Sequence, residues 1–556
     1  MIAVNLDNVS ITFLVESLFS DLSWEIHDDR CVGLIGPNGA GKSSLLKLIL
    51  GEISSDTGFI VRKKGLSIGY LHQEPQLDPD NTILQEVLTA SNELTKVEIE
   101  LTNLENRLSD PKVYGDETAL SQTLEKQARL LEEYSRLGGP SFQNRARSTL
   151  LKLGFSEGDL DLPVTVLSGG QKKLLGLAKL LITTPDLLLL DEPDNHLDLD
   201  GKKFLEHVIR NYKGGVIIVS HDRYLLDLVV DEILELEDGK LSRYPGNYSE
   251  YAYEKRMGLL RQEQLFRAQQ KEITRLETAA KRLLMWGKVY DNEKFVRRGR
   301  SILKRLDKIE RIDQPIIKRK RMGLDLAGWR GSNKVLEIVD LDKVFTASDG
   351  NDDEKIMFAG LDLTIWHGER VGLVGPNGAG KSLLFKIILE QETATGGEVI
   401  LGPSVESGYY AQEHDTLDYG HSLINTVRYA TACSESDAVA MLGRFLFTYD
   451  QVREPIASLS GGERSRLQML LLTLSGPNFL LLDEPTNNLD IASAEVLENA
   501  LEDFEGTLLV ISHDRYFLDR VVNRIIELEA GVLKEYIGNY SDYQESKSKS
   551  HKDPGR

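Results

Sequence analysis

"RCVGLIGPNGAGKSSLLKLIL" occupies residues 30–50 and returns as "RVGLVGPNGAGKSLLFKIIL" at residues 370–389. Each copy sets a strand-like apolar run before a glycine-rich turn and an apolar helical run after it, the order of a phosphate-binding strand–loop–helix unit. Gly36, Asn38, Gly39 and Gly41 let successive backbone N–H groups face one anion, and the following helix adds its positive N-terminus. Lys42 would reach the β- and γ-phosphates of ATP, and Ser43, followed by Ser44, would ligate Mg2+. Gly375, Asn377, Gly378, Gly380, Lys381 and Ser382 repeat the set. A glycine-rich turn without a ligand is the alternative; its recurrence in the same strand-to-helix setting argues against it. The fold class expected is α/β, with two tandem P-loop NTPase domains.

Working outward, the repetition continues. "LSGGQ" (167–171) returns as "LSGGE" (459–463), "LLLLDEP" (187–193) as "FLLLDEP" (479–485), "VSHDRYLLD" (219–227) as "ISHDRYFLD" (511–519), and "YPGNYSEY" (244–251) as "YIGNYSDY" (536–543). Lys42 to Lys381 and Gln73 to Gln412 are 339 apart, whereas Ser168 to Ser460, Glu192 to Glu484 and His221 to His513 are 292 apart. The first copy therefore carries 47 extra residues between Gln73 and Ser168. They map to a stretch of about 88–138, where Leu94, Val97, Leu101, Leu104 and Leu108, then Leu120, Leu124, Leu131 and Tyr134, recur at helical spacing around "SDPKVYGDE". This spacing predicts a protruding helical hairpin, an arm. With 10 acidic against 6 basic residues it is ill suited to gripping phosphate.

The apolar run 187–190 reads as a buried parallel strand that delivers Asp191 and Glu192 at its C-terminal end, where open α/β sheets bind ligands. Asp191 would hold Mg2+ through water and Glu192 would polarise the attacking water; Asp483 and Glu484 repeat these roles. His221 and His513, each after a strand-like run, are candidate γ-phosphate sensors, and Gln73 and Gln412 candidate metal ligands or water-positioners. Ser168, Gly169 and Gly170, like Ser460, Gly461 and Gly462, open helical stretches and offer a second anion-binding device. One ATPase domain does not need two phosphate sites. Two domains facing head to tail do, because each signature can then cover the γ-phosphate on its partner's P-loop.

P-loop, glutamine, LSGGQ, DEP and SHD in this order resemble the nucleotide-binding domains of ATP-binding cassette proteins, over 1–251 and 336–545. Two cassettes, an arm in the first and a charged linker between them resemble the ABC-F family of ribosome-associated ATPases. The resemblance implies an intramolecular cassette dimer in a monomeric chain, each cassette with a helical signature subdomain. Its first site would join Lys42, Ser43, Gln73, Asp191, Glu192 and His221 to Ser460 and Gly462. Its second would join Lys381, Ser382, Gln412, Asp483, Glu484 and His513 to Ser168 and Gly170. Phe13 and Phe345 stand where such cassettes stack an aromatic on adenine, although a core phenylalanine fits equally. Two departures stand out: Asp194 in "DEPDNHLD" where the second copy has threonine, and Glu463 where the signature has glutamine. A further carboxylate beside Glu192 predicts unequal ATP sites.

Between the cassettes, at 252–335, lies a linker of opposite charge to the whole. Residues 254–321 hold 21 Lys and Arg against 9 Asp and Glu, a net of +12 in a chain of −21. Two Pro-free, helix-rich stretches broken by "GKVYDN" predict a second helical hairpin with a basic tip at 288–300 and Pro315 ending the return helix. A solvated spacer is the plainer reading of a charge run. Against it stand the sign imbalance and Trp286, Tyr290 and Phe295 near the bend, which could stack on bases while Lys288, Arg297, Arg298, Arg300, Lys304 and Arg305 pair phosphates. The resemblance implies that this linker enters the ribosomal E site and reaches P-site tRNA and the peptidyl-transferase region. ATP would close the cassettes and hydrolysis would release the factor, in the manner of a translation factor or an antibiotic-resistance factor.

The bulk properties agree. A chain of 556 residues, 41% hydrophobic and 28% charged, is too long for one core and ordinary for a multidomain globular protein. The start lacks a signal-peptide pattern and no stretch has the apolar length of a membrane helix, so the chain reads as cytoplasmic. Cys31 and Cys433 alone support neither a disulfide framework nor a cysteine metal site. A transporter's ATPase subunit would explain the cassettes but not the linker or arm. A DNA-associated repair or excision ATPase would be expected to carry more beyond the second cassette than the short tail 546–556, which reads as disordered.

Overall fold

A computed structural model describes residues 1–13, 16–108, 117–136, 138–309, 322–326, 328–346, 354–412 and 417–552. Each copy of the repeat folds around a six-stranded sheet. In the first its order is Ile68–Leu71, Leu187–Asp191, Gly215–Val219, Cys31–Ile35, Glu232–Glu237 and Lys240–Pro245. All neighbours are parallel except the last pair, a hairpin. The second sheet runs Ser407–Tyr410, Phe479–Asp483, Thr507–Ile511, Arg370–Val374, Arg524–Glu529 and Val532–Ile537 in the same pattern. Strands such as Leu187–Asp191 and Gly215–Val219 are buried along their whole length, as expected of parallel strands covered on both faces.

A three-stranded antiparallel sheet completes each cassette: Ile2–Phe13 between Glu16–His27 and Thr57–Arg62, and Lys334–Thr346 between Glu354–Trp366 and Gly396–Leu401. The helix Lys42–Leu50 is wedged between the two sheets. Its Leu45, Leu46, Leu48 and Ile49 share one core with Val4, Leu6 and Trp24 on one side and Leu187, Leu189 and Ile217 on the other. Apolar contact on both sides fixes the helix, and with it the loop at its N-terminus.

The arm is present as helices Asn92–Leu108 and Glu117–Arg136, while its turn at 109–116 lies outside the described residues. Val97, Leu101 and Leu104 pack as expected, but against Leu130 and Tyr134; Leu124 and Leu131 face outward. The arm starts at Asn92, because Thr82 and Gln85 form a capping box that begins a separate short helix, Ile83–Leu88.

The linker is a hairpin of one helix of 42 residues, Tyr248–Val289, and a return helix, Glu293–Leu306. The long helix grows out of the first cassette, where Tyr248 and Tyr251 belong to the core. Its break falls at Tyr290, Asp291 and Asn292, three residues later than "GKVYDN" begins, because Gly287 sits inside the helix as a contact point. A Cβ on Gly287 would stand 2.5 Å from Val296 Cγ2, and one on Gly299 2.9 Å from Leu284 Cγ, so the glycines set the closeness of the two helices. The return helix ends at Leu306, before Pro315, which lies outside the described residues. Met322 and Leu326 are already buried in the second cassette's core, ahead of the 336 boundary.

The disordered tail expected from 546 is instead the end of a helix, Tyr540–Lys552, with 553–556 outside the described residues. Tyr543 donates to Glu527 Oε1 at 2.7 Å and Lys547 pairs with the same carboxylate, which ties the helix to the sheet. Cys31 and Cys433 are free thiols, half-buried against different cores. No described helix is long and apolar enough to cross a membrane.

Candidate functional site

The P-loop in each copy leaves a central strand and turns at Gly36 or Gly375. A Cβ there would strike the carbonyl of Leu236 or Leu528 on the neighbouring strand, so only glycine fits. Lys42 Nζ donates to Gly36 O and Pro37 O at 2.8 and 3.0 Å, and Lys381 Nζ to Gly375 O and Pro376 O at the same distances. Both ammonium groups thus arch over their own loops. Burial pulls the Lys42 pKa down, against the opposing pull of Glu192, Asp490 and Asp191, and burial does the same to Lys381.

The strand-end carboxylates stand beside these lysines. Glu192 and Glu484 adopt left-handed backbone, φ 48° and 50°, which bends the chain off the strand and turns each side chain into the cleft. Glu192 Oε2 accepts from Gln73 Nε2 at 2.8 Å and Asn195 Nδ2 at 2.7 Å, and His221 Nε2 lies 3.7 Å from Oε1. In the second site His513 Nε2 lies 3.4 Å from Glu484 Oε1, and the His513 backbone N–H donates to Oε2 at 3.3 Å. Burial, then the adjacent Asp483, pushes Glu484 up to about 7; burial, Asp191 and Asp194 push Glu192 up. Burial and Lys42 bring His221 down to about 4, and burial and Lys381 hold His513 low, so both imidazoles are neutral at pH 7. Neutral imidazoles beside basic carboxylates can take up and orient a water proton.

The residues present fit ATP and Mg2+. Asp191 Oδ1, Asp483 Oδ1, Glu484 Oε1, both ring nitrogens of His221 and Nδ1 of His513 are buried without a hydrogen bond. Such atoms are retained where a ligand satisfies them. Serine, glutamine and aspartate oxygens are the hard donors that Mg2+ takes.

The second site is completed by the first cassette, and both P-loops bond across the interface. A cavity of about 630 Å³ brings Lys381, Ser382, Gln412, Asp483, Glu484 and His513 together with Ser168, Gly169 and Gly170. Asn377 Nδ2 donates to His196 O at 3.1 Å and the Asn377 N–H to Asp198 Oδ2 at 3.3 Å, while Asn38 Nδ2 donates to Asn488 O at 3.2 Å. Ser168 caps the helix Gly169–Thr183 in a capping box with Gln171. Ser460 does the same for Gly461–Ser475 with Glu463, which accepts from the Ser460 N–H and Oγ at 2.8 and 2.7 Å and from Gln451 Nε2 at 2.6 Å. Burial alone would raise Glu463, but these bonds and Arg466 hold its pKa below the ordinary value. Glutamate therefore serves as well as glutamine at this position.

Phe345 is exposed with the Lys343 ammonium 4.9 Å over its ring, and the Phe13 side chain lies outside the described residues. Sequence reasoning missed the aspartates that cross the interface, Asp198 and Asp490, and a lysine, Lys202, that donates to both Asp222 Oδ2 and His513 O at 2.9 Å. Alignment at the 292-residue offset would have flagged the lysine, since its counterpart is Ala494.

On the linker, Lys288, Arg297, Arg298, Arg300, Lys304 and Arg305 are all exposed. At 100° per residue the five on the return helix span an arc of about 160°, opposite Val296, Gly299 and Leu303. Tyr290 is 70% exposed and Trp286 40%, with Trp286 edge-on to Phe295 at 6.2 Å.

Comparison with known proteins gives three kinds of likeness. A family model described as ABC transporter matches residues 19–195 and 358–487, and a second with the same description matches 234–324. ABC transporter F family member 5 of Arabidopsis thaliana is 34% identical over 98% of this chain and 77% of its own length. Energy-dependent translational throttle protein EttA of Escherichia coli (strain K12) is 33% identical over 96% of this chain and 93% of its own. Among solved structures, RNase-L Inhibitor superposes with a TM-score of 0.58 at 18% identity over 98% of this chain and 93% of that one, a likeness of fold.

Proposed function

The chain belongs to the ABC-F family and is an ATPase, and we propose that it binds the ribosome near the E site and acts on P-site tRNA and the peptidyl-transferase region through its linker hairpin. The observation that carries this reading is the basic face of the return helix, in a segment, 254–321, that carries a net +12 within an acidic protein. Phosphate pairing by that face and stacking by Tyr290 and Trp286 are what an unpaired RNA segment would need. The relative EttA, matched across nearly its whole length, is named a translational throttle, which supports a role in translation. The outcome is modulation of translation or ribosome-protective antibiotic resistance, in the cytoplasm. The division proposed is 1–251 and 336–545 for the cassettes and 252–335 for the linker.

In the proposed cycle Lys42 and Lys381 leave their loop carbonyls for the ATP phosphates. Ser43, Gln73 and Asp191, and Ser382, Gln412 and Asp483, would hold Mg2+, which would supply charge neutralisation to the phosphates. Glu192 and Glu484 accept the proton of the attacking water, and His221 and His513 orient the γ-phosphate. The signature helices Gly169–Thr183 and Gly461–Ser475 close the sites from across the interface.

Removing both water-polarising carboxylates by E192Q and E484Q should trap the ATP-bound, closed form. Sedimented through sucrose with purified 70S ribosomes and ATP, this variant is expected to travel with the ribosome. Adding R297E, R298E and R300E is expected to abolish co-sedimentation without lowering the melting temperature. A trapped protein that stays at the top of the gradient would overturn the ribosomal assignment.

A further inference from the structure

A buried charge cluster lies between the cassettes, on the wall of the cavity that holds the second ATP site. Lys202, on the helix Leu199–Arg210 of the first cassette, is buried, and Asp194, Asp222 and Asp514 line the same cavity. Its ammonium donates to Asp222 Oδ2 in its own cassette and to the main-chain carbonyl of His513 in the other, both at 2.9 Å. Burial works against the charge, but Asp222, Asp194 and Asp514 outweigh it and raise the Lys202 pKa, so the group is a cation at neutral pH.

The cluster exists once. At the 292-residue offset the second cassette has Ala494 for Lys202 and Thr486 for Asp194. No ammonium can therefore reach the His221 carbonyl from the equivalent place. The unusual aspartate of "DEPDNHLD" and the buried lysine form one substitution, a carboxylate added where a cation was added. A buried charge is tolerated when it is paired; Asp222 pairs with Lys202 at 2.9 Å, and the nearby Asp194 carboxylate adds its field.

We propose that Lys202 is a positioning residue contributed by the first cassette to the second ATP site, where it fixes the backbone of His513 when the cassettes are closed. His513 is held at both ends of its peptide frame: its N–H donates to Glu484 Oε2 at 3.3 Å and its C=O accepts from Lys202. Opening the interface withdraws Lys202, loosens the His513 backbone and with it the imidazole and carboxylate that would act on the attacking water. Closure thus reaches the second site by a link that the first site lacks. The inference rests on the reading of Glu484 and His513 as the hydrolytic pair.

The test separates the sites. In an E192Q background turnover comes from the second site, and in an E484Q background from the first. K202A is expected to lower kcat about tenfold in the E192Q background with KM for ATP within about twofold, and to leave the E484Q background within about twofold. K202R, which keeps a buried cation with donors, should restore most of the loss. The double variant D194T, K202A recreates the second cassette's own Thr and Ala pair and removes the uncompensated carboxylate; it is expected to melt like the parent yet stay slow at the second site. Equal losses in both backgrounds, a loss confined to KM, or recovery of turnover in the double variant would overturn the assignment. Wild-type turnover in the E192Q, E484Q protein would overturn the glutamate roles and this inference together, whereas the other failures leave the glutamates in place.

Discussion

At Gly170 the signature loop runs so close to the carbonyl of His196 that a Cβ would collide with it, and Asn377 of the opposing P-loop lies just beyond. At the repeat position, Gly462, a Cβ would stand 3.0 Å from Asn488 O and 3.3 Å from Asn38 Nδ2, which is tight but within reach of small shifts. G170A should therefore lower turnover of the second site, read in an E192Q background, by about tenfold or more, since small misplacements of a phosphate-covering element are costly. G462A, read in an E484Q background, should fall distinctly less; equal losses would mean the two interfaces are alike. The residues of the motifs were legible because P-loop, strand-end carboxylate and signature serine act through their own local backbone. Lys202 and the left-handed turn at Glu192 were not, because one takes its meaning from a residue 311 positions away and the other from the strand it leaves.

At the scale of elements, the cassettes are held by a reciprocal exchange that no motif announces. The helix Arg223–Val229 presents Arg223 to Glu498 of the second cassette, with Nη1 to Oε2 at 3.2 Å, and the helix Arg515–Val521 presents Arg515 to Glu206 of the first. Each arginine also lies 4.1 Å over a tyrosine of the other cassette, Arg223 on Tyr516 and Arg515 on Tyr224. Glu498 is fully buried and takes a further bond from Arg520 at 2.9 Å, so removal of Arg223 leaves it partly satisfied. A double-mutant cycle of R223M and E498M, read from ATP-dependent closure by donor and acceptor labels on the two cassettes, should give a coupling of about 1.5 kcal/mol or more. A coupling near zero would remove these bridges from the closure energy. The arm's hairpin was legible from helical periodicity and the linker's from two Pro-free, helix-rich stretches around a break, but their seams were not. Leu130 in place of Leu131, and Gly287 inside a helix where a break was expected, follow from which partner face each helix meets.

For the molecule as a whole, charge is divided so that one element attracts what the rest repels. With +12 on residues 254–321, the remainder of the chain carries −33, and the hairpin extends from the first cassette on a helix of 42 residues, about 60 Å long. Acidic bodies suppress adhesion to RNA at large, so association should depend on whether closure aims the hairpin. It should also depend steeply on salt, because each phosphate contact releases a counterion. The affinity of the E192Q, E484Q protein for 70S ribosomes, measured across potassium chloride concentrations, should fall log-linearly. R297E, R298E, R300E should flatten that slope by about 2 to 3, near one unit per lost phosphate contact. Reversing three acidic residues of the arm should leave the slope nearly unchanged. If the arginine variant loses affinity with the slope intact, those residues are supporting the hairpin's shape, and the RNA contact must be sought among Lys288, Tyr290 and Trp286 at its bend.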